Sequence, residues 1–226
     1  MIQDPTNQYI ATILSQCVVT GKEVLEIGCG KGRITRDLAK HAKRVLATDP
    51  DAAALAFARS GIDAANVEFI QAPTGVPDLP PESFDLVIYT LSLHHVPLAE
   101  MSGSLRAAAK LLRKSGVIAV VEPGDGGSFT ESKERFGAGS GDERTERESA
   151  IRAMHALEGW IVEETILFRT LFRFHDYDDF LDNMLPNYRQ QPESFVNELR
   201  RFLDLYRSAD GITLDACRRL NVLHRQ

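Results

Sequence analysis

Three glycines stand at alternate positions after an apolar run that carries one acid. Gly28, Gly30 and Gly32 follow residues 24–27, in which Glu26 is the charged residue. Glycine lets the backbone approach a ligand closely, and the helical pattern that begins after Gly32 would offer free N–H groups. The segment therefore predicts a strand, a turn and a helix N-terminus that bind a polar ligand. Glu26 suits a positively charged group of that ligand.

A second acid ends the next apolar run. Residues 44–48 predict a strand, and Asp49 and Pro50 follow it. In a βαβ nucleotide-binding fold, the carboxylate at the end of the second strand receives the ribose hydroxyls. We therefore expect Asp49 to bind a ribose.

The pattern of Glu26, the three glycines and Asp49 resembles the class I S-adenosylmethionine (SAM)-dependent methyltransferases, over roughly residues 20–123. The resemblance implies an α/β fold with a doubly wound, mostly parallel seven-stranded sheet. It also implies SAM as the cofactor and S-adenosylhomocysteine as the product. The cofactor-binding residues that it implies are Glu26, Gly28, Cys29, Gly30, Gly32, Asp49, Pro50, Gln71, Ala72, Tyr89, Leu91 and Tyr9.

The segment after the third expected strand departs from the family pattern. In the family an Asp there usually accepts a hydrogen bond from the adenine amino group, and here Pro73 stands at that position. Proline has neither a side-chain acceptor nor an N–H group. We expect weak selection for the adenine amino group, unless Gln71 or a backbone carbonyl replaces the missing acceptor.

The reaction that the resemblance implies is an in-line methyl transfer, for which the protein aligns donor and acceptor in a site closed to water. A base is needed only if the acceptor must lose a proton. Residues 91–96 resemble the same segment of small-molecule methyltransferases. Its His94 and His95, with Glu122 at the end of strand five, are the catalytic candidates. Each has a structural alternative, as a buried hydrogen-bonded histidine, a pocket wall or a loop-anchoring acid. No metal site is expected.

Periodicity predicts the elements that position these residues. A leading helix is expected within 6–18, strands at 22–27, 44–48, 67–70, 84–89 and 117–123, and helices at 51–61, 101–112 and 143–157. The six glycines of residues 124–141 indicate a linker or mobile loop. Strand six with a bulge is expected at 160–174 and strand seven at 220–225. The predicted domains are a core at 1–175, a helical cap inserted between strands six and seven at 176–210, and the last strand at 211–226.

Composition limits the environment and the partners. The 226 residues carry a formal net charge of −6, which argues against a nucleic-acid partner. Three cysteines without CxxC spacing are typical of reduced thiols in an intracellular protein. No apolar run has the length of a membrane span, and the N-terminus does not resemble a signal peptide. We expect a cytoplasmic monomer or homodimer that acts on a small molecule, without membrane partners.

Three other classes of protein share parts of this pattern. A dinucleotide-dependent dehydrogenase has the pattern GxGxxG, but here Arg33 takes the position of the third glycine. A SAM-binding sensor or subunit without methyl transfer is the alternative function. An RNA methyltransferase is disfavoured by the acidic charge, although Arg218, Arg219 and Arg225 form a small basic group. The interpretation is a SAM-dependent methyltransferase whose small-molecule acceptor takes the methyl group at O, N or C.

Overall fold

A computed structural model describes all 226 residues. Strands and helices alternate through the first half of the chain. In chain order the elements are β1 (Ile2–Gln3), α1 (Gln8–Gln16), β2 (Glu23–Ile27), α2 (Arg33–Leu38), β3 (Arg44–Asp49), α3 (Ala52–Gly61), β4 (Val67–Gln71), β5 (Phe84–Thr90), α4 (Met101–Leu111), β6 (Leu112–Pro123), α5 (Ser128–Phe136), α6 (Arg144–His155), β7 (Trp160–Val162), β8 (Ile166–Phe174), α7 (Tyr177–Met184), α8 (Glu193–Asp204), β9 (Arg207–Ser208) and β10 (Gly211–Arg225). Short 3₁₀ turns cover Leu93–His95 and Tyr188–Gln190.

The larger of two compact units comprises Tyr9–Glu122, Arg144–Ile166 and Arg219–Gln226. Its parallel strands run in the order β6-β5-β2-β3-β4. The apolar side chains of the central strand β2 are buried, as a parallel sheet covered on both faces requires. The strand order reverses at β2, since β3 pairs on one side and β5 on the other. Ligands of open α/β sheets bind at such a point, beyond the carboxyl ends of the strands.

The smaller unit comprises Met1–Gln8, Pro123–Glu143 and Leu167–Arg218. Its strands run in the order β1-β8-β10, and β9 pairs with β10. Its core is aromatic: the Phe129 ring stacks on the Phe172 ring with centroids 3.7 Å apart, and Phe174 meets Phe180 edge to face. Helices α7 and α8 lie in the stretch where a helical cap is predicted. The boundaries of these two compact units differ from those of the predicted domains. The division of the chain into domains at residues 175 and 210 stays a prediction.

The prediction of a linker at residues 124–141 is wrong, because helix α5 occupies the middle of this stretch. Phe129 and Phe136 of α5 are buried. The glycines serve the ends of the helix: Gly137 has a left-handed φ of 67° at its C-terminus. A Cβ on Gly127 would lie 2.6 Å from the carbonyl oxygen of Asp215, so this glycine permits close approach to β10.

Several boundaries also differ from the prediction. Strand six is two strands, of which β7 pairs antiparallel with β10, with Leu223 opposite Val162. Helix α4 ends at Leu111, so Gly116 lies within β6 and does not end the helix. Strand β10 starts at Gly211, nine residues before the predicted start at 220, and its burial alternates from Ile212 to Leu220. This alternation with a period of two is visible in the sequence and supports the longer strand. No helix is both long enough and apolar enough to cross a membrane.

Candidate functional site

A cavity of about 430 Å³ lies beyond the carboxyl ends of β2, β3, β4 and β5, in the larger unit. This volume is within the range of small-molecule sites. The lining residues are Ile27, Gly28, Gly30, Asp49, Pro50, Pro73, Thr74, Gly75, Leu91, Ser92, His95, Val96, Pro97 and Glu100. Six predicted site residues are among them: Gly28, Gly30, Asp49, Pro50, Leu91 and His95. The lining includes two carboxylates and no lysine or arginine, so the cavity suits a neutral or cationic ligand better than a pyrophosphate.

The glycine turn packs against the turn that follows β5. A Cβ placed on Gly28 would lie 2.3 Å from the Cβ of Ser92. The Ser92 hydroxyl donates to the carbonyl of Ile27 over 2.6 Å. Gly28 also has a φ of 75°, which L-amino acids with a side chain rarely adopt. Both its conformation and its contact with Ser92 therefore require glycine.

Changing Gly28 to alanine is expected to destabilise the fold by about 2–4 kcal/mol, which combines left-handed strain with overpacking. Gly21 provides a matched control, because its φ is 74° and nothing lies within 4 Å of a Cβ there. Gly21→Ala should show the strain alone, about 1–2 kcal/mol. Urea unfolding of both variants measures the difference. Equal losses would contradict a specific contact between Gly28 and Ser92.

Asp49 ends β3 and organises the turn beside it. One carboxylate oxygen accepts a hydrogen bond from the backbone N–H of Gly30 over 2.7 Å. The other accepts from the N–H of Asp51 over 2.9 Å. A carboxylate has about four lone-pair sites, so acceptor capacity remains on the side that faces the cavity. The residue can therefore receive two further hydroxyl donors.

Glu26 lies behind the glycine turn, where it is 1% exposed and does not line the cavity. The hydroxyl of Thr35 donates to its carboxylate over 2.6 Å. Burial raises the pKa of Glu26 to about 7, against smaller lowering effects of the Thr35 hydrogen bond and the Arg33 charge, while Asp49 raises it further. Burial, followed by the charges of Glu26 and Asp49, also raises the pKa of the neighbouring Cys29 thiol, which stays protonated.

The three catalytic candidates lie close together at the carboxyl ends of β5 and β6. Glu122, fully buried at the end of β6, accepts a hydrogen bond from the backbone N–H of Leu93 over 3.1 Å. Its other carboxyl oxygen shares a hydrogen bond with Nδ1 of His94. The rings of His94 and His95 lie 4.0 Å apart between centroids. His94 is buried, whereas the exposed His95 lines the cavity. The structure thus brings together a buried Glu–His pair and a histidine that can meet a ligand.

The other predicted cofactor residues lie off the cavity wall. Tyr9 is fully buried beneath the Arg33 guanidinium, 4.5 Å from its ring centroid. The Tyr89 hydroxyl shares a buried 2.8 Å hydrogen bond with Ser104, and burial raises the pKa of Tyr89. The Gln71 side-chain amide donates to the carbonyl of Pro50 over 3.0 Å. Gly32, Cys29 and Ala72 belong to the turns that support the wall, and the N–H of Ala72 donates to the carbonyl of Asp49.

Several residues of the site were not predicted. Ser92, Val96, Pro97 and Glu100 line the cavity, and Thr35 holds Glu26. The 3₁₀ turn at Leu93–His95 and the start of α4 bring the first four to the wall. The position of these four residues in the segment after β5 could have predicted that they line the site, because ligands bind at this edge of the sheet. The Thr35 contact crosses nine residues and had no signal in the sequence.

Comparison with known proteins identifies the domain. A family described as a methyltransferase domain matches residues 24–116. A probable SAM-dependent methyltransferase of Mycobacterium tuberculosis is 36% identical over 104 residues, which are 46% of this chain and 36% of that protein. An uncharacterized methyltransferase of Anoxybacillus flavithermus is 33% identical over 111 residues, 47% of this chain and 50% of the relative. A crystal structure of a proposed methyltransferase from Bacillus halodurans has a TM-score of 0.67 and 17% identity, and the match covers 95% of this chain and 97% of that one.

The matched domain and the shared fold confirm the resemblance to the class I SAM-dependent methyltransferases. Residues 24–116 match a methyltransferase domain, the α/β fold is that of the structural neighbour, and SAM is the cofactor of such domains. The chain spans half or less of the length of the two curated relatives described above.

Proposed function

We propose that this protein transfers the methyl group of SAM to an O, N or C atom of a small molecule and releases S-adenosylhomocysteine. The observation that carries the proposal is the cavity at the carboxyl edge of the sheet. Asp49 and the glycine turn lie on one part of its wall, and His95 lies on another. The cofactor supplies the electrophilic methyl group. The protein binds the cofactor, excludes water and places the acceptor in line.

The cofactor contacts that we propose follow from the polar groups of the site. The lone pairs of Asp49 that remain free would accept from the ribose hydroxyls. Glu26, ionised, would balance the cofactor's ammonium group from behind the glycine turn. The cavity wall carries two carboxylates and no lysine or arginine. It therefore favours a sulfonium nucleoside, because the carboxylates attract the positively charged sulfur.

His95 is the proposed acceptor-side group, supported by the Glu122–His94 pair. An ionised Glu122 can only accept, so this pairing would place the proton of the His94 ring on Nδ1 and fix the orientation of the ring. The same carboxylate holds the N–H of Leu93, so it anchors the 3₁₀ turn that presents His95. If the acceptor loses a proton, His95 can take it.

Changing His95 to alanine is expected to lower kcat by about 10²- to 10⁴-fold with an acceptor that must lose a proton, the usual contribution of a general base. The wild-type rate should fall at low pH, where a general base is protonated, and this fall should be missing from the variant. His155→Ala is the control, because His155 is exposed on α6 and does not line the cavity. A variant at His95 with the wild-type pH profile would refute the role as a base.

The test of the proposed function uses SAM with a labelled methyl group. The protein is incubated with separate low- and high-molecular-weight fractions of a cell extract, and each fraction is counted and resolved by mass spectrometry. The expected result is label in a small-molecule product, and much less of it with Asp49→Ala. Label in protein or RNA would refute the small-molecule acceptor. Tight SAM binding with label in neither fraction would favour the alternative, a SAM-binding protein without methyl transfer.

A further inference from the structure

The side-chain oxygens on the wall of the cavity belong to two hydroxyls, which are neutral acceptors, and two carboxylates. The hydroxyl of Thr74 donates to the carbonyl of Val76 over 3.2 Å, and the hydroxyl of Ser92 to that of Ile27. Asp49 accepts from two backbone N–H groups. Glu100 is the other carboxylate of the wall, and it makes no hydrogen bond or ion pair within the protein.

The position of Glu100 is fixed although its side chain is exposed. Its backbone N–H donates to the carbonyl of Pro97 over 2.7 Å. Its carbonyl accepts from the N–H of Ser104 over 2.8 Å, as the first hydrogen bond of α4. The side chain does not cap this helix. A rigid backbone thus presents an unpaired carboxylate at the wall of the cavity.

Part of the remaining wall is apolar. Pro50, Pro73, Val96 and Pro97 supply flat or branched hydrocarbon surfaces, which suit a purine ring. A base between such walls still carries an amino group, and a donor left unpaired on burial is unfavourable. Gln71 does not line the cavity, and its side-chain amide already donates to the carbonyl of Pro50. Of the two carboxylates on the wall, Asp49 is the proposed acceptor for the ribose, which leaves Glu100 as the charged acceptor for the base.

We propose that Glu100 is the residue that recognises the base of the cofactor, by accepting a hydrogen bond from the exocyclic amino group of adenine. This proposal rests on the proposed function, because it takes the ribose to lie at Asp49. Glu100 follows β5 by ten residues in the chain, so the acceptor would come from the start of α4 and not from the loop after β4. A charged acceptor forms a stronger hydrogen bond than a hydroxyl does. Glu100 is then a specificity-determining residue whose contact does not involve the reacting methyl group.

The test is a double-mutant cycle in which one change is made in the protein and the other in the ligand. Calorimetry measures the Kd of S-adenosylhomocysteine and of its analogue with hydrogen in place of the amino group. The proteins are wild type, Glu100→Ala, Glu100→Gln and the control Glu164→Ala, since Glu164 is exposed and does not line the cavity. The wild type should prefer the natural ligand about tenfold, consistent with a charged hydrogen bond at an exposed site.

The expected result is that Glu100→Ala reduces this preference to about twofold or less, mainly by weakening binding of the natural ligand. Glu100→Gln keeps a neutral acceptor and should be intermediate, and Glu164→Ala should retain the tenfold preference. A preference unchanged in Glu100→Ala, or absent in the wild type, would overturn the proposal while leaving the proposed function standing. A wild-type protein that binds neither S-adenosylhomocysteine nor SAM would overturn both. Circular dichroism verifies that each variant is folded.

Discussion

Changing Asp49 to alanine is expected to lower the affinity for S-adenosylhomocysteine by about 30- to 1,000-fold. This loss of affinity corresponds to a binding free energy of about 2–4 kcal/mol, the contribution of two hydrogen bonds to a charged acceptor. The carboxylate also holds the N–H groups of Gly30 and Asp51, so its removal loosens the turn that faces the ligand. Titration calorimetry measures the change.

Asp63→Ala serves as the control, because Asp63 is an exposed aspartate in the same unit and does not line the cavity. This variant should bind like the wild type. Asp49→Asn separates the effect of charge from that of shape, since its amide oxygen can still accept one hydrogen bond. If Asp49→Ala bound the ligand as tightly as the wild type, the ribose would lie elsewhere.

Glu26→Gln is expected to stabilise the fold without ligand and to weaken cofactor binding. Burial raises the pKa of Glu26 from an ordinary 4.5 to about 7. This difference means that folding disfavours the ionised form of Glu26, relative to the protonated form, by about 3 kcal/mol. Because the folded pKa is the higher one, this group contributes most favourably below pH 4.5, and the free energy of unfolding falls as the pH rises from 4.5 to 7. Above pH 7 the ionised carboxylate is buried. Glutamine keeps an acceptor for Thr35 without that charge.

Urea unfolding at pH 4.5 and pH 8 measures this effect. The variant should exceed the wild type by about 2–3 kcal/mol at the higher pH and by much less at the lower one. The control is Glu164→Gln, which should show no such difference. A variant less stable than the wild type at pH 8 would mean that the Glu26 charge is favourably paired in the free protein.

Binding should change in the opposite direction. The ammonium group of the ligand favours the ionised form of Glu26, so below pH 7 binding must remove a proton from the carboxyl group. The wild-type affinity for S-adenosylhomocysteine should therefore rise about tenfold from pH 6 to pH 7 and level off above it. Glu26→Gln should bind more weakly and lose this dependence. A wild-type affinity independent of pH would place the ammonium group away from Glu26.

Local pattern was sufficient for the strands and turns that build the cofactor side of the site. The glycine turn, the strand that ends at Asp49 and the N-cap at Asp51 each depend on residues within a few positions of one another. Asp51 accepts from the N–H groups of Ala53 and Ala54, as its type and position predict. Apolar runs with sharp ends identified the parallel strands because such strands are buried on both faces.

The glycine content of one segment led to a wrong prediction, because its glycines allow close packing. Residues 124–141 resemble a linker because six of them are glycine, yet α5 buries Phe129 and Phe136 within this stretch. Gly127 is required by the backbone of Asp215, 88 residues further along the chain. A glycine that permits such an approach and a glycine in a flexible loop are indistinguishable in a single sequence, because the partner backbone is distant.

The sequence by itself determined the parallel strands, the glycine turn and the position of Asp49 at the end of β3, and the tertiary structure decided how the rest of the candidate site is assembled. Glu122 and His94 could be named as candidates, but their hydrogen bond joins residues 28 positions apart. It forms because β5 and β6 are parallel neighbours whose carboxyl ends meet. Glu100 reaches the same cavity because the turn after β5 returns the chain to the sheet edge. Strand pairing and turn direction are properties of the folded chain, so only the structure could bring these side chains together.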